Sequence, residues 1–246
     1  MHLDAERRRG FFLTLEGPDG SGKSTQARLL GARLAAAGFR CLVTREPGGT
    51  PVGEAVREIL LHSAELSPVP QADALLFNAA RAQQVAEVIG PALARGDVVV
   101  CDRFNDSTLA YQGYGSRMPL ADLRVLGRFA TGGLVPDLTV LIDLPVEVGL
   151  RRKTGDEITR FEDRHDVAFH GRVRQGFLAM AAAEPGRWVV VDGRASSDEV
   201  ADRIAGAVLD RLGPPPTGPG EGTIGGPFEA GVAKSEPEGS SLRIDL

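Results

Sequence analysis

The sequence predicts an α/β fold, a five-stranded parallel sheet with helices on both faces. Three observations predict it. Five short apolar runs lack the alternation of half-exposed strands, as expected of strands buried on both faces. Stretches of helical periodicity separate these runs. The first run also leads directly into a glycine-rich turn and a helix, the context of a phosphate-binding loop.

The first strand is Phe11–Glu16, preceded by a polar start over residues 1–10 that is expected to fray. After it comes Gly17-Pro18-Asp19-Gly20-Ser21-Gly22-Lys23-Ser24-Thr25, which fits the pattern G-x-x-x-x-G-K-[ST]. Glycines let the backbone bend around an oxyanion, and the positive end of the helix predicted over Gly22–Ala37 adds to that nest. Lys23 is expected to reach the β- and γ-phosphates, and the Ser24 hydroxyl to ligate Mg²⁺. The segment therefore predicts binding of a nucleoside triphosphate, a property that motors, switches and kinases share.

The second strand, Arg40–Thr44, ends in Arg45-Glu46-Pro47-Gly48-Gly49-Thr50-Pro51, a turn of breakers leading into a helix over Val52–Leu61. A longer helix is expected over Ala72–Ala94, where Phe77 and Arg81 stand four apart on one face. The third strand, Asp97–Cys101, is followed by Asp102-Arg103-Phe104-Asn105-Asp106-Ser107-Thr108-Leu109-Ala110-Tyr111-Gln112-Gly113. A carboxylate directly after such a strand is where nucleotide-binding enzymes hold Mg²⁺, so Asp102 joins Ser24 as a metal candidate, and Arg103 is expected to face the same cleft. Helices over Leu120–Ala130, Val146–Lys153, Val167–Ala183 and Ser196–Leu212 flank the last two strands, Leu138–Asp143 and Trp188–Asp192. In parallel sheets ligands gather beyond the carboxyl ends of the strands, which is where these motifs fall.

At 246 residues with 42% hydrophobic content, the chain suits one large α/β domain over 11–212 with appendages. After Leu212 the composition turns to Gly, Pro, Ser and Glu, too poor in apolar side chains to offset the entropy of ordering, so 213–246 reads as a disordered tail, or one whose closing Ser-Leu-Arg-Ile-Asp-Leu docks on a partner. A formal charge of −5 excludes a global basic field for nucleic acid. Cys41 and Cys101 lie among apolar strand residues, as reduced core thiols would. No apolar run is long enough for a membrane span and no signal-type segment opens the chain, so a cytoplasmic location is expected.

Taken in order, the loop Gly17–Thr25, Arg45-Glu46-Pro47-Gly48-Gly49-Thr50, Leu76-Phe77-Asn78-Ala79-Ala80-Arg81-Ala82-Gln83, Asp102-Arg103-Phe104 through Ala110-Tyr111-Gln112-Gly113, and Pro136-Asp137-Leu138-Thr139 resemble bacterial thymidylate kinases over about residues 11–212. The resemblance implies a three-layer P-loop kinase fold, transfer of the ATP γ-phosphoryl group to thymidine 5′-monophosphate with Mg²⁺, and a homodimer. It also implies that Arg103 grips the acceptor monophosphate, that Asp19 contacts the sugar hydroxyl or the metal shell, and that Glu46 and Arg57 belong to the acceptor site. Phe77, Arg81, Thr108 and Gln112 are implied in base recognition, and Tyr111 resembles the tyrosine that crowds the sugar 2′ position. Arg81 carries only donors, which suit thymine O4 and oppose the cytosine amino group.

One departure from the family pattern bears on mechanism. Some members carry an arginine after the loop aspartate, where this chain has Gly20. The segment from Arg151-Arg152-Lys153 to Glu162 is basic and glycine-containing and reads as a lid over about 151–162, with Arg152 and Arg160 as candidates to act on the γ-phosphate and Arg151 behind them. Two other readings stay open on sequence. A kinase with a hydroxyl acceptor would need a carboxylate base, for which Glu16 stands in place. A switch-like nucleotide-binding module would need no second pocket.

Overall fold

β1 (Phe11–Glu16) occupies the centre of the sheet because both neighbouring strands pair with it in parallel, β3 (Val98–Asp102) on one side and β4 (Leu138–Asp143) on the other. The computed structural model of the protein describes residues 9–63, 65–152, 166–215 and 224–225. β2 (Cys41–Arg45) lies outside β3, and β5 (Trp188–Asp192) outside β4. The five predicted strands are all present. A two-residue strand, β6 (Ile224–Gly225), pairs in parallel with Cys41 and Leu42, giving the order β5-β4-β1-β3-β2-β6. The chain leaves β1 toward β2 and β3, then crosses to β4 and β5, so the carboxyl end of β1 is a topological switch point.

Alternation along β1 sends its side chains to two different layers. Leu13 and Leu15 face Ala27, Leu30 and Leu34 of α1 (Lys23–Ala36) and Ile204 and Val208 of the last helix, Ser197–Leu212. Phe12 faces the opposite way, edge-on to Phe104 with ring centroids 4.9 Å apart. Thr14 and Glu16 share that parity, and Thr14 Oγ1 lies 3.1 Å from Thr139 Oγ1. Full burial of each such apolar side chain contributes about 1.5–3 kcal/mol, enough to fix the register of β1. A further apolar layer joins Phe169, Val173 and Phe177 of the helix Val167–Ala183 to Leu109, Ala110 and Leu141.

Local chemistry sets the helix boundaries. α2 (Pro51–Arg57) begins with proline behind Thr50, whose hydroxyl accepts from Gly53 N at 2.9 Å. It ends in a π-helical turn over Glu58–His62. α3 (Pro70–Gln84) runs through a second π turn, Val85–Ile89, into α4 (Gly90–Ala94). Pro91 explains that turn, since it lacks an N–H and crowds the carbonyl a turn back, which the widened register accommodates. α5 (Asn105–Thr108), absent from the sequence expectation, continues as a π turn over Leu109–Gly115. α6 (Leu120–Thr131) closes on Gly132, and α7 (Val146–Arg152) follows β4. The two remaining helices, α8 (Val167–Ala183) and α9 (Ser197–Leu212), start on the caps Asp166 and Ser196. Among the described residues no helix is long and apolar enough to cross a membrane. Cys41 and Cys101 are free and buried. Of the expected lid, only Arg151 and Arg152 lie among the described residues, and Arg160 lies outside them.

Candidate active site

The carboxyl ends of β1, β2 and β3 open into a cavity of about 550 Å³, within the range of small-ligand sites. From the loop, Asp19, Gly20, Gly22, Lys23, Ser24 and Thr25 line it, whereas Gly17, Pro18 and Ser21 are buried beneath. Gly22 caps α1 in the left-handed region, with φ 88° and ψ 13°. Gly20 has φ +74°, and a Cβ there would stand 2.1 Å from Gly149 O. The loop thus packs backbone to backbone against α7, which accounts for glycine at this position. Lys23 Nζ donates to Pro18 O at 2.8 Å and Ser21 Oγ at 3.3 Å. Burial, then Arg103, lower its amine to about 8, against the pull of Asp102, Asp19 and Glu16.

Ser24 Oγ donates to Asp102 Oδ2 at 2.5 Å, while Asp102 Oδ1 is buried without a hydrogen-bond partner among the described residues. A hydroxyl beside an under-used carboxylate oxygen is the donor set of a hard cation such as Mg²⁺. Among the described residues no group of three or more His, Cys, Asp or Glu could hold a metal ion.

Arg103 has φ 70°, a left-handed conformation rare for a side-chain-bearing residue. Its N–H donates to Leu15 O at 3.0 Å, and the next N–H, of Phe104, donates to Glu16 Oε1 at 2.8 Å. The turn carries the guanidinium into the cavity, where Nη2 donates to Asp19 Oδ1 at 2.5 Å and Tyr111 Oη at 3.1 Å. Nη1 donates to Gly17 O at 3.2 Å and Ser107 Oγ at 3.1 Å. Tyr111 Oη donates to Asp19 Oδ2 at 2.7 Å, and the Arg103 guanidinium stacks 5.0 Å from the Tyr111 ring centroid. Three sequence candidates, Asp19, Arg103 and Tyr111, thus form one hydrogen-bonded unit. Glu16 lies below it, its carboxyl pushed up to about 8 by burial and then Asp106, against Ser107, Arg103 and Phe104 N–H.

The opposite wall carries Phe77 and Arg81 on α3, with Thr108, Tyr111 and Gln112 on α5 and its π turn. Arg81, only 1% exposed, donates through Nε to Glu46 Oε2 at 2.8 Å, through Nη1 to Asn78 at 3.1 Å and Asn105 at 3.4 Å, and through Nη2 to Phe104 O at 3.2 Å. Those four contacts, set against five N–H groups, leave one uncommitted among the described residues. Glu46 lines the cavity and braces Arg81, with a carboxyl raised to about 7 by burial against the Arg81 charge. Gln112 Nε2 is buried without a partner among the described residues, a donor left for a ligand. Arg57 also lines the cavity, its Nη1 donating to Pro47 O at 3.0 Å. Arg152 reaches the cavity wall while donating to Gly193 O at 3.2 Å, and Arg151 does not line it.

Sequence reasoning missed Arg45, Pro47, Leu61 and Ser107 on the cavity wall. Arg45, Pro47 and Ser107 lie inside motifs already singled out, and their places at strand and helix ends were the available signal. Leu61 follows from the π turn that ends α2, for which periodicity carries no warning.

The sequence profile of the thymidylate kinase family matches residues 15–204. A thymidylate kinase of Thermomicrobium roseum is 53% identical over 202 residues, covering 81% of this chain and 95% of that protein. Another, of Synechococcus sp. (strain JA-3-3Ab), is 54% identical over 202 residues, covering 82% and 96%. The crystal structure of thymidylate kinase from Ehrlichia chaffeensis superposes with a TM-score of 0.67 at 31% identity, covering 81% of this chain and 98% of that one. Identity at this level over nearly whole relatives goes with the ordered motifs around one cavity, and the chain belongs to the thymidylate kinase family.

Proposed function

We infer that the protein transfers the γ-phosphoryl group of ATP to thymidine 5′-monophosphate, giving the diphosphate for dTTP synthesis. The observation that carries this reading is one cavity shared by two kinds of wall, a phosphate loop with Lys23 and Ser24 on one side and Phe77 with Arg81 on the other, in a chain of this family. A phosphate oxygen of the acceptor attacks the γ-phosphorus as the bond to the β-γ bridging oxygen breaks. That oxygen is already ionised at neutral pH, its second pKa being about 6, so no strong base is required. Glu16 fits this chemistry, since both its carboxyl oxygens are engaged by Phe104 and Ser107.

In this reading Lys23 holds the β- and γ-phosphates of the donor, and Arg103 grips the acceptor phosphate with a planar fork suited to it. Asp19 faces the sugar hydroxyl or the metal shell, and Tyr111 crowds the 2′ position. Ser24 and Asp102 would hold Mg²⁺, which neutralises the charge of the migrating group. Phe77 stacks on the base while Arg81, Thr108 and Gln112 read its edge, and Glu46 and Arg57 complete the acceptor side. Arg152 and Arg160 are the lid cations proposed for the γ-phosphate. The working form is a homodimer, a reading supported by an apolar stripe on α6 where Val125 is 63% and Phe129 88% exposed. The family profile stops before the Gly/Pro-rich segment 213–246, which is assigned no part in catalysis. A cytoplasmic location suits the free thiols and the supply of ATP.

A coupled ADP-release assay against a panel of nucleoside monophosphates tests the reading. Thymidine monophosphate is expected to be preferred, with deoxyuridine monophosphate behind by the worth of one methyl, about 1–3 kcal/mol, and the cytidine nucleotides rejected more sharply. A clear preference for another base, or equal ATP turnover without any acceptor, contradicts it.

A further inference from the structure

We propose that Glu16 is a positioning residue for the acceptor site, holding Arg103 in its left-handed turn and aiming its guanidinium through Ser107, and not a general base. The proposal rests on the reading of Arg103 as the acceptor-phosphate ligand. Parity along β1 turns Glu16 to the layer of Phe12 and Thr14, where it is fully buried beneath the turn that follows β3. Oε1 accepts from Phe104 N–H at 2.8 Å, which fixes the peptide immediately after the strained residue. Oε2 accepts from Ser107 Oγ at 2.6 Å, and the same hydroxyl oxygen accepts from Arg103 Nη1 at 3.1 Å. A continuous chain of contacts therefore runs from the core carboxyl through Ser107 and Arg103 to Asp19 and Tyr111.

The strain makes such a brace necessary. A side-chain-bearing residue at φ 70° is held there only where its surroundings over-determine it. Three contacts do so at Arg103: its own N–H on Leu15 O, Cys101 Sγ on its carbonyl at 3.1 Å, and the Glu16 bond to Phe104. Only the Glu16 contact also reaches the guanidinium, through Ser107. A base would need an oxygen turned to the acceptor, whereas both oxygens of Glu16 are occupied and Glu16 is absent from the cavity wall.

Three variants of the full chain test this: Glu16→Gln, Glu16→Ala and Ser107→Ala. The amide can accept from Phe104 and contact the Ser107 hydroxyl, so E16Q is expected to keep the wild-type KM for thymidine monophosphate within about threefold. E16A and S107A each lose a link and are expected to raise that KM, and the Kd of the monophosphate measured by calorimetry, by about tenfold, with the KM for ATP unchanged. Placing S107A on an Arg103→Ala background should then add little, because the link it breaks has already gone. Should E16A fail to fold, S107A and E16Q carry the comparison. Loss of turnover in E16Q to the level of E16A with monophosphate affinity intact would assign Glu16 as a base and overturn the proposal, as would unchanged affinity in S107A. Unchanged affinity in R103A contradicts instead the reading of Arg103, and preference of the wild type for another monophosphate contradicts the proposed substrate, in which case the Glu16 series is read with that nucleotide.

Discussion

Glu16 carries its burial into the pH dependence of stability. Desolvation, then Asp106, lift its carboxyl from 4.5 to about 8, against Ser107, Arg103 and the Phe104 N–H. The folded protein therefore keeps this proton at pH values where the unfolded chain has released it. The group's favourable contribution is complete below about 4.5 and is lost as pH rises through about 8. Glutamine stays neutral, so thermal unfolding of E16Q is expected to gain on the wild type between about pH 5 and about pH 9, and a flat or opposite trend contradicts the burial argument. Gly20 invites a second substitution, the arginine that the family resemblance offers at this place. Its Cβ would meet Gly149 O at 2.1 Å with φ at +74°, so Gly20→Arg is expected to lower both the melting temperature and kcat, and wild-type values for both would refute the close approach. The phosphate loop, Glu46 and the residues from Asp102 onward were legible in the sequence because each group follows a strand of a parallel sheet, and Phe77 and Arg81 because they stand four apart on one helix. The second function of Glu46, bracing Arg81, was not, because a contact across 35 positions follows from the fold rather than from spacing.

At the scale of elements, strands and long helices followed from apolar runs and periodicity, and the boundaries shifted by a residue or two. α5 and its π turn, at Asn105–Thr108 and Leu109–Gly115, were not among the expected helices. In the fold the glycines of that turn are tight: a Cβ at Gly113 would meet Leu120 at 2.4 Å, and one at Gly115 would meet Phe169 at 2.6 Å. The glycines thus serve packing between helices, which composition cannot distinguish from a loop. α7 delivers Arg152 to the cavity wall. If a lid cation replaces the missing loop arginine, Arg152→Ala should lower kcat by at least about tenfold while leaving the KM for thymidine monophosphate near its wild-type value. Normal kcat in both this variant and Arg160→Ala would leave the γ-phosphate without the cation assigned to it.

The whole molecule is organised by β1, whose end is where the chain crosses from one half of the sheet to the other, so the phosphate loop and the turn after β3 meet there. α6 leaves Val125 and Phe129 exposed on one face. In the proposed homodimer an aromatic anchor buried between the two copies would be worth about 2 kcal/mol or more, so the wild type is expected to sediment as a dimer and Phe129→Glu as a monomer. A wild type that sediments as a monomer would contradict the homodimer. The edge of β2 receives Ile224–Gly225, a pairing far along the chain that no periodicity announces. In the proposed reaction one cleft brings two repelling nucleotides end to end. The most direct measurement is a crystal structure of the protein with thymidine monophosphate and a non-hydrolysable ATP analogue. Arg103 is expected on the acceptor phosphate, Lys23 on the donor phosphates and the thymine between Phe77 and Arg81; Arg103 turned away from the acceptor, or thymidine bound outside this cavity, would contradict the shared cleft.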